Sequence, residues 1–299
     1  MSDVAVESRP WYATQPADDS MPTISTRRAY LEVLGVFAIF FGAGVINAVL
    51  ILAKAYPAGS TVSWGEAVSV FFSQNATTAL CILVPILLIR QRGVTTRQLG
   101  LVLPPGPSHG VWTGIRMATW GYLSIFIWAI IVATLGHPAL PTTIKNGPYF
   151  LAEIGHLYQA GFIEEIVVLG FTVITLEQAR RPRWEIIAVA LLLRDSYHIY
   201  YGWGALFVPL WAGTFLWLFL RFRSLVPLIA IHSFWDVTGL VASYSKGATA
   251  VLGCCVLLMM LVAVISFLAS TPTLKRRGSP TKHRREFIPT NPSTQVDQS

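Results

Sequence analysis

Long unbroken apolar runs alternate along this chain with short polar segments rich in arginine. A helix needs about 20 apolar residues to cross a hydrocarbon core of about 30 Å, and runs of that kind differ from the amphipathic stripes of soluble helices. Eight such runs predict helical spans over residues 30–55, 66–89, 112–135, 149–176, 184–200, 205–220, 225–244 and 248–269. The fifth is short and holds Arg194, Asp195 and His198, which depress its hydropathy. The pattern predicts an all-α, polytopic membrane protein of about eight transmembrane helices. Its helical domain covers residues 29–270, between polar tails at 1–28 and 271–299 whose composition predicts disorder.

Composition agrees, with 54% apolar and only 12% charged residues, against about a quarter charged in soluble domains. The net charge of +7 does not point to nucleic acid, because the basic residues sit in clusters between the apolar runs. The clusters are Arg27 and Arg28; Arg90, Arg92 and Arg97; Arg180, Arg181 and Arg183; Arg221 and Arg223; and Lys275 through Arg285. They fall in alternate loops, so the positive-inside rule places both termini in the cytoplasm and calls for an even number of spans. Trp64, Trp112, Trp184 and Trp203 lie near span ends, where an interfacial aromatic belt belongs. Cys81, Cys254 and Cys255 lie inside apolar runs and read as packing residues. The polar start shows no cleavable signal pattern, so the first span is expected to direct insertion.

Against this background the ionisable groups inside the spans stand out. Each costs about 2.5–3.5 kcal/mol at the bilayer centre, so such groups face a bundle interior, where they pair or do chemistry. Span four carries Glu164 and Glu165, span five Arg194, Asp195 and His198, and span seven His232 and Asp236. At about 1.5 Å per residue, Glu164 lies about 18 Å from the cytoplasmic end of its helix, His198 about 21 Å, Asp236 about 17 Å and His232 about 10 Å. Those depths permit a single cluster. Arg194 and His198 share a helix face, as do His232 and Asp236, whereas Glu164 and Glu165 diverge by about 100° and are expected to differ in role. Glu153 and His156 read as an interfacial pair at the outer end of span four. The Asn75-Ala76-Thr77 glycosylation pattern falls inside span two, out of reach of a glycan.

These residues resemble the three motifs of the CAAX-protease and bacteriocin-processing (CPBP, or Abi) family of intramembrane proteases: Glu-Glu-x-x-x-Arg, Phe-x-x-x-His and His-x-x-x-Asn/Asp. The resemblance covers residues 148–245, with all three motifs in order on spans four, five and seven. Two positions depart from the pattern, since Leu169 stands where the first motif has arginine and Arg194 where the second has phenylalanine. The segment is similar to a bacterial branch of the family. Arg194, one turn before His198, is expected to supply the missing charge from the adjacent helix.

The resemblance implies an endopeptidase that cleaves a membrane-associated or lipidated protein or peptide, CAAX prenyl protease-like, in a bacterial plasma membrane. It implies that Glu164 and His198 activate water, that Glu165 balances charge, and that His232 and Asp236 hold the oxyanion. No cofactor is then required, although Glu164, His198 and His232 would also suit a catalytic Zn²⁺ with an open position. Two other readings stay open. One is a non-catalytic membrane scaffold of the same fold, in which Glu164 and Glu165 form a structural pair with Arg194. The other is a transporter or proton relay, for which matched inverted halves are the usual sign and none is seen. The substrate and the oligomeric state are not legible in the sequence.

Overall fold

The computed structural model describes residues 19–53, 62–104, 107–135 and 147–270. Most of the two expected tails, residues 1–18 and 271–299, lies outside the described residues. Every regular element among the described residues is helical. The order is α1 (Thr26–Leu52), α2 (Trp64–Gln91), α3 (Pro107–Leu135), α4 (Gly147–Glu164), a π-helical segment (Glu165–Phe171), α5 (Thr172–Gln178), α6 (Arg183–Ser196), a 3₁₀ run (Ile199–Phe207), α7 (Val208–Phe222), α8 (Val226–Tyr244) and α9 (Lys246–Ser270).

Local chemistry sets several of these boundaries. Ser25 caps α1 by accepting from the Arg28 amide, and Ser63 with Glu66 forms a reciprocal capping box at the start of α2. Pro209 and Pro227 occupy the first turns of α7 and α8, where a missing amide hydrogen costs nothing.

Six helical stretches are long and apolar enough to cross a membrane: α1, α2, α3 from Gly110, the continuous rod from α4 through α5, the 3₁₀ run with α7, and α8. They correspond to predicted spans one to four, six and seven, and the molecule is a multi-pass integral membrane protein. Predicted span five is different. Its helix, α6, has 14 residues, or about 21 Å of length, less than the about 30 Å a crossing requires. Predicted span eight coincides with α9, whose apolar stretch is described over Ala250–Val262.

The α4–α5 rod is the axis of the bundle, since 78% of its apolar window is buried against 17% for α1 and 22% for α2. α4 packs on α2 and on α8, and Gly161 permits the second contact. A Cβ there would lie 2.7 Å from the Ser233 backbone nitrogen and 3.1 Å from the Ile229 carbonyl oxygen. The arginine-rich loops meet at one end of the bundle. Arg223 pairs with Glu177 (2.6 and 2.7 Å), Arg92 with Glu32 (3.2 Å), and the Leu225 amide donates to the Gly100 carbonyl (2.8 Å). The chain just before α1 is tied down there too. The Ile24 amide donates to the Gln178 carbonyl (3.1 Å), Gln178 Nε2 to the Pro22 carbonyl (2.9 Å), and Met21 is buried.

Candidate active site

The two glutamates sit where the rod changes its hydrogen-bond register. Glu164 ends α4 and Glu165 begins the seven-residue π segment, a rare wide turn that in other proteins often marks a functional site. At that junction both carboxylates reach one guanidinium. Arg194 Nη1 and Nη2 donate to Glu165 Oε1 and Oε2 at 2.9 and 3.0 Å, a bidentate pair, while Nη1 meets Glu164 Oε2 at 3.3 Å. Arg194 is 1% and Glu165 0% exposed, whereas Glu164 keeps 13% of its side chain open. The difference separates their surroundings. Glu165 is engaged through both oxygens, for His232 Nδ1 also donates to its Oε1 at 2.7 Å. Among the described residues Glu164 is bonded only through Oε2, which accepts from the Tyr197 hydroxyl at 2.9 Å and from Arg194.

The histidines are oriented by what their Nδ1 atoms touch. His198 Nδ1 lies 2.9 Å from the Arg194 carbonyl oxygen, one turn back. A carbonyl only accepts, so Nδ1 carries the hydrogen and Nε2 of the neutral ring is left as an acceptor. His232 is held the same way by the Glu165 carboxylate, which turns its Nε2 toward Asp236 Oδ2 at 3.6 Å and Glu164 Oε2 at 4.0 Å. Both separations are too long for a hydrogen bond. His198 is not within ion-pair distance of either glutamate, and aromatic rings wall it in: Tyr197, Tyr200, Tyr201 and Trp211 all lie with centroids 4.5–6.1 Å from it.

The structure thus gathers Glu164, Glu165, Arg194, His198, His232 and Asp236 from the rod, α6 with the turn that follows it, and α8 around one partly buried region. Leu169 is 2% exposed and packs in the hydrophobic core, and the cation beside Glu165 comes from α6. Glu153 is half-buried and His156 exposed, and the two interact electrostatically without a close salt bridge among the described residues. Asn75 pairs with Tyr158 across α2 and α4, beside a 2.5 Å hydrogen bond from Thr78 to Gln159.

Among the described residues no three His, Cys, Asp or Glu side chains converge as a ligand set. The Glu164 oxygen that faces His232 has a guanidinium at 3.3 Å.

Two residues at this site, Tyr197 and Trp211, were not singled out by the sequence. Trp211 on α7 lies under the Arg194 guanidinium (Cζ 4.9 Å from the ring centroid) and edge-on to both histidines. Neither residue carries a charge that would mark it inside an apolar span.

Residues 146–238, about a third of the chain, match the family model described as Rce1-like, type II CAAX prenyl endopeptidase. The matched stretch runs from the start of α4 to α8 and contains all six side chains above. No curated protein and no solved structure matches the chain.

Proposed function

We propose that this chain, whose residues 146–238 carry the Rce1-like family match, is an intramembrane endopeptidase acting on a membrane-associated or lipidated protein or peptide. The observation that carries the reading is the division of labour between two adjacent glutamates. Glu165 is buried and neutralised by Arg194, while Glu164 stays partly open opposite His232 and Asp236.

In this reading Glu164 is the base that takes a proton from water, and its 4.0 Å separation from His232 Nε2 is one that a water oxygen about 2.8 Å from each would bridge. His198, with Nε2 free to accept, positions that water through its second hydrogen, and Glu164 returns the proton it has taken to the leaving amine. His232, with Nδ1 on Glu165 and a second proton on Nε2, donates to the developing oxyanion, and Asp236 in its protonated form donates beside it. Glu165 keeps His232 oriented through Nδ1 and holds Arg194 in place. The carboxylates and imidazoles do the proton transfers without a resident metal. We place both termini in the cytoplasm of a bacterial plasma membrane, with α6 and α9 completing the eight-element bundle.

The test is proteolysis of peptide mixtures by protein purified in detergent, with Glu164→Ala and a chelator as paired controls. Cleavage that is lost in the variant and kept with the chelator is expected. Cleavage indifferent to Glu164→Ala would favour a scaffold of the same fold, and cleavage lost with chelator would return a metal to the mechanism.

A further inference from the structure

We propose that Trp211 is a positioning residue that decides which of the two glutamates Arg194 neutralises; its kinetic test rests on the protease reading above, its stability test does not. A guanidinium is flat, and its fork engages a carboxylate bidentately only when the two planes are aligned. Arg194 has two adjacent carboxylates within reach, yet gives Glu165 two hydrogen bonds and Glu164 one long one. What fixes the plane is the surface beneath it. The indole of Trp211 lies under the guanidinium with Cζ 4.9 Å from its centroid.

The indole is itself held. It is 3% exposed, with Phe215 edge-on at 5.5 Å and Trp128 at 6.2 Å. It also meets His232 at 5.4 Å and His198 at 5.8 Å, at interplanar angles of 68° and 83°. Trp211 therefore touches both partners of Glu165, namely Arg194 and His232. Tyr197, the other partner of Glu164, has no ring contact with it among the described pairs. With the indole in place the fork stays on Glu165 and Glu164 remains available as the base. With it removed, the guanidinium is free to turn toward Glu164 and mask it.

The indole Nε1 is buried and has no hydrogen-bond partner among the described residues, so Trp211→Phe removes none of the bonds seen there while keeping a flat ring, and serves as the conservative variant. Trp128, which contacts Trp211 but neither Arg194 nor His232, supplies the control of equal volume.

The experiment measures thermal unfolding and cleavage kinetics of purified protein for Trp211→Phe, Trp211→Leu and Trp128→Leu, with Trp211→Leu also combined with Glu164→Gln and with Glu165→Gln. Non-additive unfolding shifts of opposite sign are expected: Glu165→Gln should cost less in Trp211→Leu than in wild type, and Glu164→Gln should cost more. Trp211→Leu should lower kcat about 100-fold with KM unchanged, and Trp211→Phe should recover it to within about tenfold. Trp128→Leu should lower the unfolding temperature without a matching fall in kcat. Additive shifts with both glutamate variants overturn the proposal, as does a Trp211→Phe no better than Trp211→Leu, or a Trp128→Leu equally inactive. If wild-type protein cleaves nothing, the protease reading falls, and the unfolding cycles still decide the role of Trp211.

Discussion

Replacing Arg194 by leucine removes the cation from a carboxylate that has no exposed surface. Glu165 would keep only His232 as a partner, inside a bundle where Arg194 and Glu165 are 1% and 0% exposed. Removing one partner of a buried ion pair costs about 3–5 kcal/mol, because the remaining charge is left without compensation. The lost stacking on Trp211 belongs to the same side chain and is not added on top. Arg194→Leu should therefore unfold at a clearly lower temperature in detergent and lose cleavage. Removing both charges together is about neutral in such pairs, so Arg194→Leu with Glu165→Leu should regain most of the lost stability and remain inactive. A third variant asks whether the charge can move. Leu169 is 2% exposed and lies four residues beyond Glu165 on the same π-helical turn, so Arg194→Leu with Leu169→Arg should restore part of the cleavage. An Arg194→Leu protein as stable and active as wild type would refute the ion-pair argument, and a complete absence of rescue would refute the exchange between helices.

Three further outcomes follow from single contacts. Tyr197→Phe deletes the 2.9 Å hydrogen bond to Glu164 Oε2; a bond to a charged group is worth about 1.5–3 kcal/mol, so kcat should fall at least about tenfold while the protein still folds, as read by detergent gel filtration and cleavage assay. Gly161→Ala places a Cβ against Ser233 and Ile229 and wedges α4 from α8; overpacking costs about 1–3 kcal/mol, and activity should drop more than the unfolding temperature because the wedge separates the glutamates from His232. Asp236→Asn should retain activity within about tenfold, since the family pattern takes Asn or Asp at this position, whereas Asp236→Leu should abolish it; comparing kcat of the two variants distinguishes a hydrogen-bonding role from a charge.

Polarity inside lipid is costly, and that cost made Glu164, Glu165, Arg194, His198, His232 and Asp236 visible in the sequence. The same logic hid Tyr197 and Trp211, because aromatic rings in an apolar span look like any other packing residue. The π segment was hidden for a different reason. Its residues Ile166–Phe171 are uniformly apolar, and a shift from one hydrogen-bond register to another leaves no mark on composition. Span five is shorter than the predicted 184–200, because α6 stops at Ser196 and a 3₁₀ run follows, a change of helix type that composition does not mark. Leu169 is the sharpest case. A motif written along one helix registers an arginine as missing, whereas the fold supplies a guanidinium to Glu165 from α6, at 2.9 and 3.0 Å. Glu165 meets a cation in a plane that its carboxylate can share, and that cation reaches it through space from Arg194, which lies over the indole of Trp211.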